Sequence, residues 1–235
     1  MPMQVLRPQL AVLVAAVASL AACGSAVPSP KAHRLLPATH PLAPRPVLVA
    51  PSAVSTDPGP GALPQTPALP SATTQSFKTS VADLWAAIVT DNPALAMPAF
   101  FPLPAYLQVK SLTDDAHDWA VRLVAHFVLD IEAAHAVVTS HGGTPTLVGL
   151  EVPTTNANWV PPGTCYNRLG YWHVPGSRLV YQVGTTTYSI GVLSLISWRG
   201  TWYVVHLGAI NRPSDEGAVD APAVGVGSFG PPGGC

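Results

Sequence analysis

Residues 171–207 have the sequence YWHVPGSRLVYQVGTTTYSIGVLSLISWRGTWYVVHL, and this stretch decides the fold. It is rich in β-branched and aromatic residues, and it is divided by three short breaks, at Pro175-Gly176, Gly184-Thr185 and Arg199-Gly200. Long β-prone runs joined by such breaks predict an antiparallel meander. The predicted strands cover residues 171–174, 178–183, 186–198 and 201–207, with one further strand earlier in the chain at 146–152.

The last of these strands is expected to be covered on both sides, because large side chains occupy both of its faces. Side chains alternate along a strand, so the two faces carry Trp202, Val204 and His206 on one side and Tyr203, Val205 and Leu207 on the other.

Helical spacing precedes the strands. A capping box of Ser80 and Asp83 predicts a helix over 81–90, ended by Asp91-Asn92-Pro93, and shorter helices are predicted over 94–100 and 104–109. The longest helix is predicted from Asp114 to Val138. Its core-facing stripe is Trp119, Leu123, Phe127 and Ile131, and its polar stripe is Asp118, Arg122, His126 and Asp130. We expect the polar stripe to be a ladder of surface ion pairs.

Helices followed by a meander predict an α+β domain, with the helices packed on one face of a curved sheet. The opening Leu84–Ile88 and the closing Trp198–Val205 resemble the cone-shaped fold of ketosteroid isomerase and nuclear transport factor two. The domain also resembles uncharacterised secreted proteins of actinobacteria. The cone fold hosts isomerases, dehydratases, adaptors and binding modules, so the resemblance implies an architecture rather than a reaction.

The first residues are typical of an export signal. Arg7 is followed by an apolar run over 10–20 and then by Leu20-Ala21-Ala22-Cys23, which resembles the lipobox of bacterial lipoprotein precursors. The resemblance implies removal of residues 1–22, a diacylglyceryl thioether on Cys23, and attachment to the outer face of the cell membrane. Two or more acyl chains provide a stable anchor where one is marginal.

Composition divides the rest of the chain. Residues 23–75 are rich in Pro, Ala, Ser and Thr and predict a disordered tether, whereas 76–212 are the segment expected to form the globular domain. Residues 213–235 are rich in Gly and Pro and predict a disordered tail. The whole chain has 11 basic and 12 acidic residues, so nothing in its charge indicates nucleic acid as a partner.

Common catalytic and cofactor motifs are missing from the sequence. There is no Gly-x-Ser-x-Gly, His-Glu-x-x-His, Cys-x-x-Cys or phosphate-binding Gly-Lys-Ser/Thr, so we assign no catalytic residue, metal ligand or cofactor. Glu132 and His135 have the Glu-x-x-His spacing of di-iron bundles. Those bundles need two copies on four long helices, and this chain has one copy, so a solvated helix face is the better interpretation.

The candidate pocket residues are aromatic and imidazole side chains of the sheet half: Trp202, His206, His173, Tyr171 and Tyr188. On a curved sheet they would line a pocket in which an imidazole could act as a base or a donor, although a histidine on a strand is also a common core residue. Cys165 and Cys235 remain after lipidation of Cys23. They either form a disulfide that holds the tail across the 161–165 loop or stay as two free thiols.

These observations favour a non-enzymatic, membrane-anchored module of the cell envelope that binds an apolar small molecule or an envelope protein. Two alternatives stay open. One is a cofactor-free isomerase or dehydratase that uses His206 or His173 with a tyrosine. The other is a structural or assembly subunit in which the length of the tether matters more than any pocket.

Overall fold

The computed structural model describes residues 59–234, in which helices come first and strands follow, so the predicted α+β class is confirmed. The α-helices are α1 (Gly59–Ala62), α2 (Gln75–Thr90), α3 (Leu103–Val109), α4 (Asp115–Asp118) and α5 (Ala125–Ser140). A 3₁₀ helix, Pro93–Ala99, follows α2, and a π-helical segment, Trp119–Val124, connects α4 to α5. Within these described residues, no helix is both long and apolar enough to cross a bilayer.

The six strands form one antiparallel sheet. They are β1 (Pro145–Glu151), β2 (Asn158–Val160), β3 (Tyr171–Val183), β4 (Thr186–Trp198), β5 (Thr201–His206) and β6 (Asp220–Val224). The central order is β1-β3-β4-β5. In addition, β2 pairs with the first residues of β3, and β6 pairs with the first half of β4. The predicted meander of β3, β4 and β5 is therefore confirmed, and β4 has the predicted bounds.

The helices cover one face of this sheet. Trp85 of α2 contacts Tyr181 of β3, with 5.3 Å between the ring centroids, and Phe101 contacts Trp198 of β4 at 6.1 Å. Tyr181 and Trp198 lie on the same face, because β3 and β4 pair without a register shift. Leu179 and Ile190 are buried on that face too, so the main core lies between the helices and the sheet.

Helix α2 begins six residues earlier than the sequence predicts. Thr74 caps it, because its hydroxyl accepts a hydrogen bond from the Phe77 N–H at 3.3 Å. The Ser80 hydroxyl instead donates to Ser76 O inside the helix. The predicted capping box of Ser80 and Asp83 is therefore wrong, and the extra turns bury Phe77 in the core.

The last part of the predicted tether also belongs to the domain. The Gln65 side chain donates to Ser197 O at 3.0 Å and accepts from the Arg199 N–H at 2.7 Å, and the Trp172 indole donates to Pro67 O at 3.0 Å. The proline-rich sequence here packs against the sheet. The predicted start of the globular domain at residue 76 is therefore wrong, because residues 59–75 belong to the domain as well. The predicted signal peptide, Cys23 and the remaining tether lie outside the described residues.

The prediction of a disordered tail is wrong for residues 213–234. Strand β6 pairs with β4, and Arg178, which is 1% exposed, donates to Ala221 O at 2.8 Å and to Val226 O at 2.9 Å. A Cβ atom at Gly191 would lie 2.1 Å from the carboxylate of Asp220. The small residues permit close approach of the backbone to the sheet, although their composition alone is typical of a disordered segment.

Strand β3 is continuous through Pro175-Gly176, where the sequence predicts a break. Gly176 has a φ of +59°, and its carbonyl accepts from the Gly230 N–H at 3.1 Å. Strand β2 was not predicted, because three residues are too few for an alternating pattern to be recognised.

Candidate functional site

A cavity of about 140 Å³ lies between the helices and the sheet. The helical side contributes the polar residues Tyr106, Lys110 and Arg122, and the sheet contributes Tyr171, His173, Ser194 and His206. The remaining walls are Phe101, Val109, Leu123, Cys165, Ile196 and Val205. Arg122 keeps 43% of its side chain exposed, which places it at the mouth.

The structure brings together three of the five predicted pocket residues. Tyr171 and His173 lie on the helix-covered face of β3, and His206 reaches the same cavity from β5. The pKa of the Tyr171 hydroxyl is raised by burial, so this group stays protonated. Tyr188 lies toward the other end of β4, where its ring stacks on His141 with centroids 3.9 Å apart.

Trp202 is also outside the cavity, and the reason is a β-bulge in β5. Val204 pairs with Leu195 while His206 pairs with Ser194, so Val205 is an extra residue between them. One extra residue moves the side chains that follow it to the opposite face of the sheet. His206 therefore shares a face with Ser194, and Trp202, 1% exposed, is buried on the opposite face. The predicted common face of Trp202, Val204 and His206 is wrong.

The helical end of the cavity is cationic. Lys110 Nζ donates to Cys165 O at 3.0 Å, and the Arg122 guanidinium donates to both Asp118 oxygens at 2.7 Å. The Tyr106 hydroxyl donates to Asp118 and accepts from Arg122 Nη2 at 3.0 Å. The hydrogen bond from Arg122 lowers the pKa of Asp118, whereas burial raises the pKa of Tyr106, so the phenol stays neutral.

The sheet end is polar but uncharged at neutral pH. His173 Nε2 and Ser194 Oγ are 3.0 Å apart, and burial lowers the pKa of His173. Within the described residues His173 Nδ1 has no well-formed hydrogen bond, although the Gly233 and Gly234 backbone lies close enough to oppose that lowering. Burial, followed by repulsion from nearby cations, lowers the pKa of His206 to about 4.

Gly233 and Gly234 lie beside the sheet end of the cavity. A neighbouring pocket of about 190 Å³ shares His173, Ser194 and His206 with the cavity and is bounded by Gly233 and Gly234. Cys165 is in a disulfide. Residues 59–234 contain no second cysteine. Its partner is therefore one of the other two cysteines of the chain, Cys23 or Cys235, and both lie outside the described residues. The pairing of Cys165 with Cys235 stays a prediction.

The Glu-x-x-His residues of α5, Glu132 and His135, lie in different surroundings. His135 Nδ1 lies 2.8 Å from Ile88 O, and Glu132 is exposed. Asp130 was expected on the surface, but it is 2% exposed and pairs with Arg212 at 2.7 Å. Within residues 59–234, no cluster of three or more His, Cys, Asp or Glu side chains could hold a metal ion.

Lys110, Tyr106, Arg122 and Ser194 were not predicted as site residues. Arg122 belongs to the polar stripe of the long helix, and its pairing with Asp118 was expected, but helical periodicity carries no information about a cavity beyond the helix. Lys110 follows the last residue of α3, and only the tertiary fold brings it to the cavity that His173 and His206 also line.

Fold and site together define an α+β domain with a small internal cavity that is cationic at the helices and neutral at the sheet. No protein-family model, curated protein or solved structure matches this chain. The resemblance to the cone fold of ketosteroid isomerase and nuclear transport factor two therefore stays a prediction.

Proposed function

We propose that this chain is an exported lipoprotein, anchored through Cys23, whose α+β domain binds one small molecule in the cavity between the helices and the sheet. The cavity carries the proposal, because polar groups from the helices and from the sheet converge there beside apolar walls, as in small-molecule sites. Its size limits the occupant, since an apolar cavity of about 150 Å³ admits benzene. The ligand is therefore a compact molecule rather than a long lipid or a peptide.

The catalytic alternative has weaker support. An isomerase or dehydratase works best with a base that is unprotonated near pH 7 and whose pKa lies close to that pH. The pKa of His206 is lowered to about 4, so this imidazole is a weak base. Tyr171 is held protonated by burial, and the residues that line the cavity include no carboxylate. These groups are better suited to donating hydrogen bonds to a bound molecule than to moving a proton.

Lipidation is tested with Cys23→Ser in the full chain, expressed in a bacterial host that processes lipoproteins. The thioether cannot form on serine, so we expect the variant to leave the membrane fraction, whereas Cys165→Ser should stay there. Intact mass should show a diacylglyceryl modification on the unchanged chain and on Cys165→Ser. An unmodified Cys23 in the membrane fraction would contradict the lipoprotein assignment.

Ligand binding is tested with Val205→Phe, which adds a ring to a residue that lines the cavity. The full chain is extracted from its native envelope in mild detergent, and small molecules released by denaturation are measured by mass spectrometry. We expect about one molecule per unmodified chain and at least a tenfold reduction in the variant.

The matched control is Val148→Phe, because Val148 is 55% exposed and also lies at a bulge, in β1 away from the cavity. This control should retain the ligand of the unmodified chain, and circular dichroism should show that both variants are folded. Equal recovery from the two variants, or no molecule from the unmodified chain, would contradict a ligand-binding role for the cavity.

A further inference from the structure

The charges around the cavity do not balance at its helical end. Lys110 and Arg122 are two cations on the cavity wall, and Asp118, bound by Arg122, is the carboxylate beside them. Asp115 already forms an ion pair with Arg168 at 2.8 Å. Burial, followed by the Arg122 charge, lowers the pKa of Lys110, and the Asp118 and Asp115 carboxylates oppose this lowering. Two cations stand against one carboxylate that is not already paired elsewhere. About one positive charge remains at the mouth.

Hydrogen-bond donors also remain at this end. An ammonium group has three N–H donors, and Lys110 uses one of them on Cys165 O. Arg122 uses Nε and Nη2 on Asp118 and Tyr106, while its Nη1 has no partner within the described residues. Two cationic side chains with donors to spare can hold both oxygens of one carboxylate.

The other walls exclude some kinds of anion. Phe101, Val109, Leu123 and Ile196 surround an interior larger than a bare inorganic ion requires. A single excess charge matches a monoanion better than a phosphate ester, which carries up to two charges. Beyond the apolar walls, neutral His173, Ser194 and His206 can contact a ring edge or one small polar substituent.

We infer that the ligand of this cavity is a compact monocarboxylate, about the size of benzoate, whose carboxylate lies between Lys110 and Arg122 and whose apolar body faces Leu123 and Ile196. The inference rests on the proposed ligand-binding function. It goes beyond that function by naming the chemical class of the ligand and the two side chains that select for charge.

The test uses the full chain in detergent, after its native ligand has been removed by extensive exchange. Benzoate and benzamide have nearly the same shape and differ in charge, so calorimetric titration with each isolates the contribution of the carboxylate. We expect benzoate to bind at least tenfold more tightly than benzamide to the unmodified chain. This comparison requires no variant, so its result does not depend on whether a substitution is tolerated.

Lys110→Met keeps the apolar stem and removes the charge. It should reduce benzoate affinity at least tenfold and leave benzamide affinity unchanged. Lys78→Met, on the exposed surface of α2, is the matched control and should change neither affinity.

Equal binding of the two probes, or benzoate binding that is insensitive to Lys110→Met, would overturn the inference. If neither probe binds while a molecule sensitive to Val205→Phe is still recovered from the native protein, the inference fails and the proposed function stands. If no such molecule is recovered either, both fail.

Discussion

Asp130→Ala is expected to destabilise the domain by about 3–5 kcal/mol, because it leaves the Arg212 charge buried without its partner. The Asp130 and Arg212 side chains are 3% and 7% exposed, and their atoms are 2.7 Å apart. The same carboxylate accepts from the Gly208 N–H at 2.9 Å and from the Ala218 N–H at 3.0 Å. One side chain of α5 therefore holds both ends of the segment between β5 and β6.

The measurement is urea unfolding of the full chain, followed by tryptophan fluorescence. Arg168→Ala is the control, because Arg168 is 52% exposed and its partner Asp115, although 9% exposed, keeps a hydrogen bond from the Leu112 N–H at 2.7 Å. We therefore expect a smaller loss from Arg168→Ala than from Asp130→Ala. Asp130→Ala combined with Arg212→Met removes the stranded charge, so the double variant should be more stable than Asp130→Ala alone. A loss from Asp130→Ala no larger than that from Arg168→Ala would contradict this account.

The strands that the sequence predicts correctly are those whose signals are local. Strand β4 has the predicted bounds because β-prone residues fill it and turn residues end it. At the turn into β5, Arg199 and Gly200 both have positive φ, which matches a short hairpin connection. Neither feature depends on what packs against the sheet, so both can be recognised in the sequence.

Asp130 shows where local reasoning fails. The stripe of Asp118, Arg122, His126 and Asp130 has helical spacing, and Asp118 and Arg122 do form a partly exposed pair. Asp130 lies about two turns beyond Arg122 and is buried, because the chain returns over α5 after β5. The position of that return depends on Gly208 and Ala218, residues distant in sequence from the helix, and no periodic pattern encodes it.

The candidate site was predicted in part for the same reason. Tyr171 and His173 follow from alternation along β3, a local property. Alternation along β5 places His206 beside the wrong neighbours, because the bulge at Val205 depends on how β5 pairs with β4. Lys110 and Arg122 reach the cavity through the packing of helices on the sheet. The chemistry of the helical end was therefore outside the reach of the sequence.

Acidification from pH 7 to pH 4 is expected to destabilise the domain, with His206 responsible for about 3 kcal/mol of the loss. Burial, followed by the positive charges of Arg122 and Arg212, lowers its pKa to about 4, against an ordinary value near 6.5. Between these values the unfolded chain binds a proton that the folded protein does not. The free energy of unfolding therefore falls as the pH drops through this window. Above the ordinary pKa near 6.5, His206 is neutral in both states and does not make stability depend on pH.

His206→Gln isolates this contribution, because glutamine is neutral throughout the window and still offers hydrogen-bonding groups. Other groups also titrate on acidification: burial lowers the pKa of His173 and raises that of Asp130, so the two act in opposite directions. The relevant quantity is thus the difference between variant and unmodified chain, measured by urea unfolding at pH 7, 5.5 and 4.

His117→Gln, at an exposed position on α4, is the control, and its stability should depend on pH as that of the unmodified chain does. We expect the loss between pH 7 and pH 4 to be about 3 kcal/mol smaller in His206→Gln. An unchanged loss would mean that His206 takes up its proton in the folded state, and the neutral end of the cavity would then be cationic under acidic conditions.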